Sequence, residues 1–363
     1  MQENKTDVPV YKKFLFSLII ILVFFSFLEI TARLIEYRKG KNIVQEFPDV
    51  IYEPHPYLPI ILKPNSVFKT RNITINSLGY RGENFSIAKK PGVFRIVCIG
   101  GSTTFGIGSS SDKTTYPQFL EDILNSKVQN QDFEVINAGV SGYTTAENLI
   151  NLEFRIVDIS PDLIVIYDGY NDFKPNRVPN FKSDYSHWRY REPIYIGRPF
   201  LDNFRFYAKL KKLILKYSPR KQDSPFPELK RFDNASIDGV DAFKRNLRSI
   251  TYIAKSKNIK VLLSTFVIPL NDDNLKKDPE RFRNLLYFTP TFTYKGILDA
   301  KTKYNNAIKE VAKEENIPLV DSNKIMPQSL EYFDDYVHFN DKGAFLMAKN
   351  IADTISKNYF EKK

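Results

Sequence analysis

Apolar positions along the chain fall into three regimes. Residues 14–28 (FLFSLIIILVFFSFL) form an uncharged run, and apolar character resumes at 30–32 after the single interruption at Glu29. A spanning helix wants about 20 residues, a length reached here if Glu29 lies near the interface and pairs with Arg33 one turn later. No A-x-A-like small-residue site follows the run, so residues 14–34 read as an uncleaved transmembrane anchor behind a tail of residues 1–13. From 35 to 93 the sequence is rich in Pro, Asn and aromatics without a sustained period. That predicts an irregular linker or cap, with a hairpin near 67–75.

From residue 94 onward short apolar runs alternate with helical periodicity. Strands are expected at 94–99, 133–136, 163–167, 261–266 and 318–320. Helices are expected at 116–124, 146–157, 243–256, 301–315 and 342–357. Such alternation predicts an α/β domain over 94–363, built on a parallel sheet covered on both faces. Two segments break the pattern, a basic one at about 173–238 and a shorter one at 272–295, and both read as insertions beside the site. No internal repeat appears.

The formal charge of +11 raises the question of nucleic acid, and its placement answers it. Residues 174–233 carry fifteen Lys/Arg against six Asp/Glu, with no zinc-finger spacing, basic-leucine heptad or RNP-like motif. A membrane surface or an anionic substrate is the expected partner, not nucleic acid. Within this segment, residues 204–217 place Tyr207, Leu210, Ile214 and Tyr217 on one helical face, with Arg205, Lys209, Lys212 and Lys216 around it. Such a helix either lies on an anionic membrane or covers its own domain. Lysines before the anchor (Lys5, Lys12, Lys13) are matched by Arg33, Arg38, Lys39 and Lys41 after it, so the positive-inside count leaves sidedness open. The single cysteine, Cys98, sits in an apolar run and reads as core. With only three histidines (His55, His187, His338) no metal centre is expected. Oligomeric state leaves no mark on the sequence.

In an open parallel sheet, function collects where the carboxyl ends of strands meet loops. After the first strand comes Gly100-Gly101-Ser102-Thr103-Thr104-Phe105-Gly106; after the second, Asn137-Ala138-Gly139-Val140-Ser141-Gly142; after the third, Asp168-Gly169-Tyr170-Asn171-Asp172. Asp335-Tyr336-Val337-His338 stands just before the last helix. These residues suffice for acyl transfer. A serine hydroxyl needs a base, and His338 has a carboxylate, Asp335, three residues before it. Asp335 can accept from Nδ1 and leave Nε2 facing Ser102. The amides of Ser102 and Gly139, with the side-chain amide of Asn171, are the candidate oxyanion donors.

These loops resemble the four signature blocks of the SGNH (GDSL-like) hydrolase family, in order and spacing. The block residues fall on Ser102, Gly139, Asn171 and His338, with Asp335 matching the Asp of the family's D-x-x-H element. The first block departs from the usual Gly-Asp-Ser, because Gly101 replaces the Asp, as in a membrane-anchored bacterial subgroup with a G-G-S-T-T-F-G block. The resemblance implies a flavodoxin-like three-layer α/β/α sandwich and no cofactor. It further implies hydrolysis of O-acyl esters through an acyl-serine intermediate. Similar anchored proteins act on envelope polysaccharides or lipids, which implies an acylated glycan or lipid as substrate and a catalytic domain outside the cytoplasm.

Other readings of the same motifs fare less well or stay open. The first loop lacks the Lys-Ser/Thr of a P-loop and the G-x-G-x-x-G of a dinucleotide fold. It also fails G-x-S-x-G, since Thr104 stands at the second Gly. Asn340 or Asp341 could cap the last helix while His338 merely packs. An O-acyltransferase would use the same triad, and a non-catalytic envelope binding protein could keep the fold.

Overall fold

The computed structural model describes residues 9–38, 51–189, 204, 206–207, 209–210 and 229–361. The chain divides into two units, residues 1–46 with 196–221, and residues 47–195 with 222–363.

In the first unit, helix α1 (Val10–Arg38) is longer than the apolar run that seeds it. Its stretch Val10–Ile35 is long and apolar enough to cross a membrane. Glu29, the one charged residue between 14 and 32, is occupied as the spacing predicted: Arg33 Nε donates to its carboxylate at 2.8 Å, and the Phe206 amide adds a second bond at 3.0 Å. Lys209 Nζ donates to the Ala32 carbonyl at 3.0 Å, and the Phe206 ring meets Phe25 edge-on. Apart from Phe204, Phe206, Tyr207, Lys209 and Leu210, the helix expected at 204–217 lies outside the described residues, as does much of the basic stretch around it.

The second unit opens with two short antiparallel pairs, β1 (Tyr52–Glu53) with β2 (Ile61–Leu62) and β3 (Val67–Phe68) with β4 (Ile73–Thr74). The second pair is the hairpin expected near 67–75. This region carries its own small core, in which Ile51, Leu58, Ile60, Leu62 and Ile75 close over Phe105, Val140 and Tyr143. It is therefore packed onto the loops that follow the main sheet.

That sheet holds five parallel strands, β5 (Val93–Gly100), β6 (Asp132–Asn137), β7 (Leu163–Tyr167), β8 (Lys260–Ser264) and β9 (Leu319–Val320), in the order β6-β5-β7-β8-β9. The central strands read as unbroken apolar runs because helices cover both faces. After the four-residue helix α2 (Ser102–Phe105), α3 (Tyr116–Lys127) packs with the last helix, α8 (Asp341–Ile355). The helix α5 (Ile237–Ser256) packs with both α4 (Thr145–Asn151) and α7 (Tyr294–Glu314), and the segment 272–295 contributes α6 (Pro279–Phe288). Right-handed crossovers put these two helical groups on opposite faces, which gives the three-layer α/β/α sandwich. Side-chain oxygens of Thr115, Thr293 and Asn340 cap α3, α7 and α8. Cys98 is fully buried in β5, where burial pushes its thiol pKa up and keeps it neutral.

The chain leaves β5 in one direction to form β6 and then returns past β5 to lay down β7, β8 and β9. The crevice between the carboxyl ends of β5 and β7 is the switch point of this order, and Ser102 and the 168–172 loop both open into it.

Candidate active site

Ser102 is the first residue of α2, immediately beyond β5. His338 lies in the loop leading into α8. Asp335 shapes that loop by accepting with one oxygen from the amides of Val337 and His338, each at 2.8 Å. Its other oxygen is thereby left for the imidazole, at 2.6 Å from Nδ1, and Nε2 lies 2.7 Å from the Ser102 hydroxyl. With Nδ1–H donating to the carboxylate, Nε2 is the acceptor for the serine proton. Burial works against the Asp335 charge, but the facing imidazole and the hydrogen bonds from His338 and Val337 outweigh it and hold the carboxyl below the usual aspartate range. Asn340 also caps α8, through the Gly343 amide at 3.1 Å. Capping and the serine contact are thus both made, by neighbouring residues.

The other two histidines are occupied elsewhere. His187 is bonded to the Pro175 carbonyl and the Lys182 amide, and His55 accepts from the Tyr57 amide.

The three expected oxyanion donors fare differently. Asn171 approaches Ser102 closely enough that a Cβ on Gly101 would lie 2.6 Å from its Nδ2. That nitrogen gives one hydrogen to the Tyr143 carbonyl at 2.8 Å, and its second hydrogen remains for a ligand. Gly139 does not serve as expected. Its amide is spent on Asn137 Oδ1 at 3.0 Å, and its Cα is pressed against the backbone of Thr104 and Phe105. That position requires glycine for packing, not for binding an anion. Three residues on, Gly142 holds φ +82°, a conformation natural to glycine. Its amide has no hydrogen-bond partner among the described residues, and it directly precedes the Tyr143 carbonyl that anchors Asn171. The repeated Gly-x-x-Gly spacing in this loop was a signal that either glycine could serve.

Behind these contacts lies a buried clamp that sequence reasoning missed. Asp172 accepts from the Thr145 hydroxyl at 2.6 Å and the Tyr185 hydroxyl at 3.0 Å, and its carbonyl accepts from Tyr304. Asn171 and Asp172 therefore hold the 143–145 loop at successive points. Beside Ser102 a cavity of about 20 Å³ is lined by Gly101, Tyr167, Tyr170, Asn171 and Phe266. It has room for a single water.

A parallel sheet in this order, with a serine, an imidazole and a carboxylate joined at the carboxyl ends of its strands, defines the class of a serine hydrolase built on an α/β/α sandwich. The model of the GDSL-like lipase/acylhydrolase family matches residues 98–344, and the chain belongs to that family. It is an ester-hydrolysing enzyme. Solved structures similar to it include the lipase/acylhydrolase from Enterococcus faecalis, at 19% identity over 74% of this chain and 99% of that one, with a TM-score of 0.44. The acetyl xylan esterase AlAXEase is similar at 17% identity over 72% of this chain and 100% of that one, with a TM-score of 0.43. Likeness at this level adds nothing to the family match. Among curated proteins no match was found.

Proposed function

We propose that this protein is a serine esterase that removes a short acyl group from an envelope glycan. Ser102 Oγ attacks the ester carbonyl while His338 Nε2 takes its proton, with Asp335 supporting the imidazolium. The oxyanion is met by the amides of Ser102 and Gly142 and by the free Nδ2 hydrogen of Asn171. Collapse expels the alcohol, which receives the proton from His338 and leaves acyl-Ser102. Water then gives a proton to His338 and attacks the acyl carbon, releasing the carboxylic acid and regenerating the serine.

The observation that carries this reading is the unbroken hydrogen-bond chain from Asp335 through His338 to Ser102, at 2.6 and 2.7 Å. The small cavity at Ser102 supports an acyl group of acetyl size, because a long chain would displace Tyr170 or Phe266. The apolar α1 supports a single-pass anchor, and an envelope glycan as substrate would require the catalytic domain to lie outside the cytoplasm.

Hydrolysis of p-nitrophenyl acetate by the detergent-solubilised protein tests the reading. Ser102→Ala and His338→Ala are each expected to lower kcat at least about 10³-fold, with unfolding midpoints near that of wild type. An undiminished rate in either variant would remove these residues from the chemistry.

A further inference from the structure

The cavity at Ser102 takes the acyl half of the proposed ester and leaves the alcohol half unplaced. Next to His338, aromatic rings step outward from the buried site to solvent. Tyr336, buried, lies 6.4 Å from the imidazole; Phe288, at the end of α6, is stacked on Tyr336 at 6.2 Å with the planes 29° apart. Phe288 is 47% exposed and its neighbour Tyr287 40%, the two rings meeting edge to face at 5.2 Å. A lone exposed aromatic needs no explanation. Two adjacent ones, continuous with a ring against the proposed catalytic base, call for one.

The rest of the helix indicates which ligand would suit them. At helical spacing N-terminal to Tyr287 and Phe288, the exposed positions of α6 are Glu280, Arg283 and Asn284. A carboxylate, a guanidinium, a carboxamide and a phenol thus share one face with an aromatic platform, over about 12 Å of helix. An acyl chain laid there would cover Glu280 and Arg283 with hydrocarbon, at the cost of desolvating an ion pair whose partners stand 2.9 Å apart. A sugar fits both demands. Its C–H face lies on the negative face of an aromatic ring, and its hydroxyls exchange hydrogen bonds with the polar side chains.

We propose that the outer face of α6 is the subsite for the carbohydrate half of the ester, with Phe288 the platform for a pyranose ring that lies outward of His338 beyond Tyr336. This rests on the esterase reading above. Phe288 touches none of the reacting atoms, so it acts as a binding residue and not in the chemistry.

The test compares two acetate esters with full-length protein in detergent: acetylated xylotriose, and ethyl acetate, whose alcohol carries no ring to stack. Proton release is followed for both. Phe288→Ala is expected to raise KM for acetylated xylotriose by about three- to tenfold and to leave ethyl acetate turnover within about twofold. Phe288→Trp should restore the glycan KM, whereas Phe288→Leu, apolar but without a ring face, should not. Equal effects on both esters, no effect on the glycan ester, or turnover of ethyl acetate alone would each overturn the subsite. Failure to hydrolyse either ester would instead count against the esterase reading. The subsite would then still be tested by calorimetric binding of acetylated xylotriose to Ser102→Ala, which Phe288→Ala must weaken.

Discussion

At the scale of single residues, the departure of the first block from the family pattern has a local physical cause. A Cβ on residue 101 would fall 2.6 Å from Asn171 Nδ2, so glycine there lets the carboxamide come in close to Ser102. Gly101→Ala is therefore expected to push Asn171 off the Tyr143 carbonyl and to lower kcat about as much as Asn171→Ala, on the order of 10²-fold, the usual cost of one lost oxyanion donor. Steady-state kinetics on p-nitrophenyl acetate check this; a Gly101→Ala enzyme with wild-type kcat would show that Asn171 does not act from this position. Ser102, Asp335, His338 and Asn171 were all legible in the sequence, because each follows a strand or precedes the last helix at a spacing one loop can span. The glycine was not. Gly139 and Gly142 look alike in a string of letters, and only backbone direction reveals that one amide is turned into Asn137 while the other, on a residue with positive φ, has no partner among the described residues.

Between elements, the join that matters is β7 to α4. Asn171 and Asp172 reach across it to Tyr143 and Thr145, and Asn246 on α5 donates to the same Thr145 hydroxyl at 3.0 Å. Burial pushes the Asp172 carboxyl up to about 7, against hydrogen bonds from Thr145 and Tyr185 that pull it down. An unfolded aspartate titrates near about 4. From there to about 7 the folded protein holds a proton that the unfolded chain has released, so this residue's contribution to stability falls as pH rises through that window and is level above it. Asp172→Asn is expected to remove up to about 4 kcal/mol of that decline, at about 1.4 kcal/mol per pKa unit. Urea unfolding of both proteins at pH 4.5 and 7.5 measures the difference, and identical pH slopes would contradict it. Strand and helix alternation announced these elements, yet the clamp between them was hidden, since it depends on which side chains the switch-point crevice turns inward. The segment 272–295 was legible only as an interruption; its helix α6 and the stacking of Phe288 on Tyr336 arise from packing across the fold.

For the molecule as a whole, the anchor and the catalytic unit make separate demands. Most apolar side chains of α1 between Val10 and Ile35 are exposed, and the proposed single-pass anchor predicts that the full chain stays with liposomes after a carbonate wash. A chain beginning near residue 47 should instead remain in the supernatant with its esterase activity retained, and recovery of the full chain in the wash would contradict anchoring. The central claim, that Ser102 becomes acylated with His338 as its base, is tested most directly by trapping the serine. Treatment with a fluorophosphonate and mass spectrometry of the peptides is expected to place one adduct on Ser102 in the wild type, with labelling slowed at least about 10³-fold in His338→Ala. An adduct on another residue, or equal labelling rates in the two proteins, would contradict it.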